Sequence, residues 1–282
     1  MELSENIKSL IALSLKEDIE CGDITTLATI PQSLNGKGIV KAKSAGILCG
    51  MKVFTEVFRQ QDASIKCQWH FDDGQMLAVN QVCVSFEGPM RSILTAERTA
   101  LNFLQRMCGI ATLTRRYVDL IKHTSAKIID TRKTTPIWRE LEKYAVRTGG
   151  GSNHRMGLYD MFLIKDNHIT ASGSIPSAIE NAIRYNNERK LRCRIEVETK
   201  NLDEVNEAVQ FPIQRIMLDN MNPEQMKEAV KLINRKCEVE ASGGVSLATV
   251  QMIAETGVDF ISVGALTHSA PSMDLTLLVE KV

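Results

Sequence analysis

Apolar residues recur at Ile7, Leu10, Ile11, Leu13 and Leu15, and this spacing predicts a helix over residues 4–19 with Ser4 as its N-cap. Cys21-Gly22-Asp23 should end it. Residues 36–44 (GKGIVKAKS) and 63–70 (ASIKCQWH) alternate in the manner of strands, and residues 82–86 (VCVSF) read as another. A short helix over 51–60 separates the first two. Strands and helices mixed without βα regularity indicate an α+β unit. From Met90 a long helical pattern runs through Ile93, Leu94, Ala96, Ala100, Leu101 and Leu104. Gly109 is expected to break it, leaving a second helix over 111–123.

After Lys127 the texture changes to strand, loop, helix, repeated. Strands are expected over 127–130, 161–164, 193–197, 215–218, 237–241 and 259–263, with helices over 136–146, 176–187, 202–209, 223–234 and 247–256. Pro136, Pro176 and Pro223 sit where first-turn prolines belong. Buried strands alternating with helices define an α/β fold with a parallel sheet. Residues 272–282 read as a last helix packing back on the first domain. The division is then an N-terminal α+β domain, 1–108, joined by a C-terminal helix, 270–282, and a β/α domain over 109–269.

Composition narrows the function classes. Apolar content of 44% and charged content of 24% are those of a globular protein. The 34 basic and 34 acidic residues balance, so no global charge draws the chain to nucleic acid or a membrane surface. No apolar run approaches a membrane span, and the acidic, amphipathic N-terminus is unlike a signal peptide. Seven dispersed cysteines suit free thiols in a reducing compartment better than disulfides or zinc, and the expected location is cytoplasmic. His154 and His168 are too far apart for one helical face. Asp72-Asp73-Gly74 is a turn rather than a metal site.

Charge is nonetheless unevenly placed. Residues 127–168 hold eight Lys/Arg against five Asp/Glu. Arg132 and Lys133 follow the apolar pair Ile128-Ile129, and Lys165 follows Phe162-Leu163-Ile164, so cations end strands. Gly149-Gly150-Gly151 lies between, where backbone can approach a ligand closely. Later strands end in Glu198, Asp219, Ser242-Gly243-Gly244 and Val263-Gly264-Ala265. In a parallel αβ barrel such ends share one working face. That mouth has a cationic half (Arg132, Lys133, His154, Arg155, Lys165) and an anionic half (Glu196, Glu198, Asp219). Glu196 and Glu198 share strand parity and should both point inward. The small residues at the last two strand ends suit backbone binding of a phosphate. The alternative is an internal salt-bridge network.

DTRKTTP at 130–136, EKYAVRTGGGSNHR at 142–155 and LIKDNHI at 163–169 together resemble the quinolinate phosphoribosyltransferase family. AERTALN, EVE, LDN, ASGG and VGALTHS extend the resemblance over most of the chain. One departure is that Ile137-Trp138 follow Pro136 where the family usually has glycine. The resemblance implies an incomplete parallel β/α barrel of seven strands, one of them hidden near 149–155. It implies transfer of phosphoribose from phosphoribosyl pyrophosphate to quinolinate with loss of CO₂. It places Arg98, Arg132, His154, Arg155 and Lys165 around quinolinate, and Lys133 between quinolinate and pyrophosphate. Thr131 joins this wall. Lys133, Lys165, Glu198 and Asp219 are the implied catalytic groups. Glu198 and Asp219 would hold ribose hydroxyls and Mg²⁺, and Ser242, Gly243, Gly244, Val263, Gly264 and Ala265 would surround the 5′-phosphate. The implied assembly is a homodimer sharing Arg98 across its interface, with a trimer of dimers as a higher form. The competing readings are a paralogue associated with molybdenum uptake, and a non-catalytic anion binder. The intact LIKDNHI and NHR blocks argue against the first; Glu198 and Asp219 argue against the second.

Overall fold

The structure is a computed structural model describing residues 2–281. The chain divides into two compact units. One comprises Met1–Arg115, Thr135–Gly150 and Ser269–Val282; the other comprises Arg116–Thr134 and Gly151–His268.

In the first unit the N-terminal helix is Glu5–Ile19. Ser4 caps it by accepting from the Ile7 amide, and Ile7, Ile11 and Leu15 form its buried stripe. A second helix, Ile24–Thr29, was not expected. Asp23 starts it by accepting from the Thr26 amide at 3.0 Å, so the residue read as a terminator is also an N-cap. Strands β1 (Asn35–Ala42), β2 (Gly46–Ile47), β3 (Lys66–Trp69), β4 (Met76–Leu77) and β5 (Val82–Pro89) follow, with the helix Met51–Gln61 between β2 and β3. Phe54 on that helix packs edge-on against Phe58 and Trp69, and Phe86 lies tilted against both phenylalanines. Asp72-Asp73-Gly74 does form a turn. Asp73 Oδ1 accepts from the amides of Gly50 and Met51, at the start of the Met51–Gln61 helix.

Met90–Ile121 is one helix of 32 residues, not two. Gly109 does not break it. A Cβ there would lie 2.0 Å from the Pro271 carbonyl oxygen, so the glycine permits a close backbone approach while the helix continues. The expected helix at Pro136 begins instead at Arg139 and runs to Thr148. Thr135–Trp138 is a turn in which Ile137 adopts φ +70° and Trp138 stacks on Phe103 at 4.7 Å. Pro176 and Pro223 do lie in the first turns of their helices.

The second unit carries β6 (Lys127–Ile129), β7 (Met161–Ile164), β8 (Arg194–Thr199), β9 (Arg215–Asp219), β10 (Glu238–Ser242) and β11 (Phe260–Ser262). All are parallel, in the order β7-β8-β9-β10-β11-β6. The seventh strand is reduced to one parallel bridge, Ile129 to Ser152, on the outer side of β6. The preceding Gly150 sits at φ +96°, outside the β region, which keeps the segment short. Six strands and a bridge leave an incomplete parallel barrel.

The chain ends in β12 (Leu275–Lys281), which corrects the expected C-terminal helix. It pairs antiparallel with β1, from Ala42 opposite Leu275 to Gly36 opposite Lys281, giving a sheet ordered β12-β1-β5-β3. Alternation at Leu275 and Leu277, both buried, is the strand period that the leucine-rich run conceals.

Ile137 is a β-branched residue in left-handed backbone with 78% of its surface exposed. Strain there costs about 1–2 kcal/mol and little burial offsets it. Ile137→Gly should therefore raise stability by up to about 1 kcal/mol, after glycine's entropy is counted. Chemical denaturation checks this; a lower midpoint for the variant would contradict it.

Candidate active site

Six strand ends meet at one rim, and a cavity of about 510 Å³ opens there, within the second unit. Asp130, fully buried after β6, organises one side. Its Oδ1 accepts from the His154 amide at 2.9 Å and its Oδ2 from the Asn153 side chain. The aspartate of the DTRK block thus ties the NHR block to the barrel. Beyond it, Thr131 Oγ1 accepts from the Lys133 amide at 3.0 Å, and Thr267 Oγ1 donates to the Lys133 carbonyl at 2.7 Å. Gly264 leaves room for Lys133: a Cβ would sit 3.0 Å from its Cδ. Arg132 faces the cavity, and its Nε is buried with no hydrogen-bond partner among the described residues. Such an orphaned charged donor suits an anionic ligand.

Arg155 donates to the Met161 carbonyl at 3.1 Å. Burial lowers its pKa, and the Arg132 guanidinium adds to that effect. Lys165, at the end of β7, pairs through Nζ with Glu198 on β8. Its amide donates to His168 Nδ1 at 2.9 Å, which fixes the start of the helix Asp166–Ser172. Asp219 ends β9, half-buried, and accepts from Asn220 Nδ2 at 2.9 Å. Gly243, at φ +96°, packs so closely on Asn220 that a Cβ would meet its Oδ1 at 2.1 Å. This locks the ends of β9 and β10 together.

Of the sequence-derived set, the cavity brings together Thr131, Arg132, Lys133, His154, Arg155, Lys165, Glu198, Asp219 and Ser242. Gly243, Gly244, Val263, Gly264 and Ala265 sit just beyond β10 and β11 and do not line it. The helix Ala265–His268 follows Gly264 directly, whereas the helix after Gly244 starts only at Val250. Arg98 belongs to the other unit. It lies on the Met90–Ile121 helix, its side chain 61% exposed and 3.7 Å from Glu97.

The floor holds Arg215 and Glu240, for which the sequence carried no expectation, together with Glu196, which was expected to point inward. Arg215 donates from NH1 to Glu240 Oε2 at 2.8 Å and from Nε and NH2 to Glu238, and it stacks on Phe260. Glu196 and Glu240 are both fully buried. His154 Nε2 lies 3.0 Å from Glu196 Oε2 and 3.6 Å from Glu240 Oε2. Burial, which costs a carboxylate its hydration, pushes Glu196 up to about 6. Burial and the neighbouring Glu196 push Glu240 up to about 8. The available signal was charge at every second position of an otherwise apolar strand, as in EVE of β8 and again in β10. His154, Glu196 and Glu240 offer ligand atoms within 4.8 Å of one another, yet the Arg215 charge already occupies the cluster and disfavours a divalent cation.

A parallel half-open β/α barrel with arginines and carboxylates at the rim defines an anion-handling enzyme fold. Sequence profiles of the quinolinate phosphoribosyl transferase N-terminal and C-terminal domains match residues 23–108 and 110–278. The chain belongs to the quinolinate phosphoribosyl transferase family. It is 42% identical over 291 aligned positions to quinolinate phosphoribosyltransferase [decarboxylating] 1b of Nicotiana tabacum, covering 98% of this chain and 83% of that one. It is 44% identical over 270 positions to a probable nicotinate-nucleotide pyrophosphorylase [carboxylating] of Synechocystis, covering 95% and 90%. The solved structure of NadC from Streptococcus pyogenes superposes with a TM-score of 0.95 at 38% identity, covering 100% of this chain and 99% of that one.

Proposed function

We propose that this chain transfers phosphoribose from phosphoribosyl pyrophosphate to quinolinate, releasing pyrophosphate and CO₂ and yielding nicotinate mononucleotide, a step of NAD biosynthesis. The observation that carries the reading is the pairing, in one cavity, of Arg132 and Arg155 with the carboxylates of Glu198 and Asp219. Quinolinate is a pyridine with two adjacent carboxylates. Guanidinium groups fix such a dianion through paired hydrogen bonds, and the partnerless Arg132 Nε is a donor in want of an acceptor. Lys133 and Lys165 add charge on the same wall. Ser242, with the backbone turns at Gly243-Gly244 and Val263-Gly264-Ala265, is the proposed 5′-phosphate seat.

The ring nitrogen attacks the anomeric carbon as the bond to pyrophosphate breaks. The pyridinium then accepts the electron pair of the bond to the departing carboxylate, and a proton replaces CO₂ on that carbon. No protein nucleophile is needed. Glu198 and Asp219 stabilise the positive charge that develops on the ribose. The same two residues fit Mg²⁺: they offer hard oxygen donors from adjacent strands, both open to the cavity, and leave positions for water and phosphate oxygens. Bound there, the ion supplies positive charge against the leaving pyrophosphate.

The protein is expected to be cytoplasmic, which cell fractionation checks. Among the described residues all seven cysteines are free thiols, and no helix is long and apolar enough to cross a membrane. The assembly is a homodimer in which the exposed Arg98 reaches the partner's quinolinate pocket, with a trimer of dimers as the higher form.

The purified protein should form nicotinate mononucleotide and CO₂ from quinolinate, phosphoribosyl pyrophosphate and Mg²⁺. Glu198→Gln and Asp219→Asn should each lower the rate roughly a hundredfold or more. Near-normal turnover by both at saturating Mg²⁺ would make these carboxylates structural.

Sharing of Arg98 is tested by complementation. Arg98→Ala and Lys165→Ala should each be nearly inactive. A mixed dimer then contains one site with both lesions and one with neither. After subunit exchange about half of the dimers are mixed, and about a quarter of wild-type activity should return. No recovery, with exchange confirmed by tagged pull-down, would place Arg98 outside the partner's site.

A further inference from the structure

Lys133 lines the cavity, and among the described residues its ammonium has no polar partner. Lys165, by contrast, is tied to Glu198. A lysine is a point charge on a flexible four-carbon stem, so an untied ammonium is placed by whatever fixes its backbone. The Lys133 backbone is fixed on both sides. Its amide donates to Thr131 Oγ1 at 3.0 Å, and its carbonyl accepts from Thr267 Oγ1 at 2.7 Å. The Thr134 amide donates to the Arg132 carbonyl at 2.9 Å and closes a tight turn around it. The bonds from Lys133 to Thr131 and from Thr134 to Arg132 are local and give the turn its shape. The bond from Thr267 ties that turn to a segment more than a hundred residues later in the sequence.

Thr267 belongs to the helix Ala265–His268, directly after β11, and is fully buried. A threonine in a helix ordinarily donates back to a carbonyl three or four residues earlier. That carbonyl, of Gly264, lies at 3.2 Å, and Lys133 is the nearer acceptor at 2.7 Å. A hydroxyl has one proton to give, so the remote bond takes the larger share of it. The same segment meets Lys133 a second time. Gly264 runs so close to the Lys133 stem that a Cβ would lie 3.0 Å from Cδ. Carbonyl and stem of Lys133 are therefore both set against residues 264–267, which include the Gly264-Ala265 turn assigned above to the 5′-phosphate.

We propose that Thr267 is a positioning residue that fixes the spacing between the two phosphate-binding ends of the cavity. It does so by latching Lys133, the cation on the pyrophosphate side, onto the turn that seats the 5′-phosphate. Phosphoribosyl pyrophosphate carries its anionic groups at opposite ends of one ribose. Once one end is bound, the other binds intramolecularly, and that gain is lost when the spacing is wrong. The latch therefore bears on the two-ended substrate and hardly on either fragment, because a single fragment can settle wherever the lysine stem reaches. In an aligned site a displacement of about 1 Å is enough to cost on the order of a hundredfold.

This inference rests on phosphoribosyl pyrophosphate being the substrate. Its test is Thr267→Val, which keeps the shape of the side chain and removes the donor. Affinity for phosphoribosyl pyrophosphate, measured by calorimetry with Mg²⁺ and without quinolinate, should fall roughly tenfold to a hundredfold. The inhibition constants of ribose 5-phosphate and of pyrophosphate, each occupying one end, should stay within about twofold of wild type. Thr267→Ser keeps the hydroxyl and should restore the affinity. A purely structural role would weaken all three ligands together; that outcome, or unchanged affinity for phosphoribosyl pyrophosphate, would overturn the proposal. Should Thr267→Val not fold, Thr267→Cys decides, since its size is similar and its thiol is a weak donor. The loss should again be confined to phosphoribosyl pyrophosphate, and wild-type affinity would overturn the proposal. Wild-type protein that forms no nicotinate mononucleotide would overturn the functional reading, whereas active wild-type protein with variants that show no such selective loss would overturn this inference alone.

Discussion

The structure depends on one electrostatic constraint: cations are crowded at the rim of a sheet before any ligand arrives. Arg155 carries its charge at a disadvantage, because burial strips its hydration and Arg132 lies close by. Such a wall is tolerable only if counter-charge is built into the scaffold. Here it comes from strands β8 and β10, through Glu198 paired with Lys165 and through the glutamates packed with Arg215. The carboxylates are therefore the support of an open site and, in the proposed reaction, participants in its chemistry. Their placement follows from strand parity, which sends alternate residues of a parallel sheet inward.

The rim residues reach their places by short local ties. Asp130 joins β6 to the NHR segment, and Gly243 lets the ends of β9 and β10 touch. The Met90–Ile121 helix passes Pro271 closely at Gly109, within the unit that also contains β12. Each tie uses a residue whose side chain, or lack of one, is dictated by a single contact. The rim can then be stiff even though one strand of the barrel is only a bridge at Ser152.

Much of this was legible in the sequence. An apolar run followed by charge located β6 and β7, and nine of the predicted site residues line one cavity. What was not legible shares a physical cause: the deciding contact is remote in sequence. Gly109 looks like a breaker until Pro271 is placed against it. Residues 275–281 look helical until β1 is placed beside them. Glu240 and Arg215 look like surface charges on short strands until Arg215 is seen to donate to Glu240 in the buried floor. Ile137 is the reverse case, where the departure from the family was visible and the structure supplies its consequence, a strained turn.

Under the proposed function the rim is matched to two adjacent carboxylates on one ring. Calorimetric affinities of quinolinate and nicotinate near pH 7 measure that match. A ligand lacking one carboxylate leaves a partly buried guanidinium unpaired, which costs about 2–5 kcal/mol. Nicotinate should therefore bind about a hundredfold more weakly than quinolinate, or worse. Equal affinities would rule out such a match.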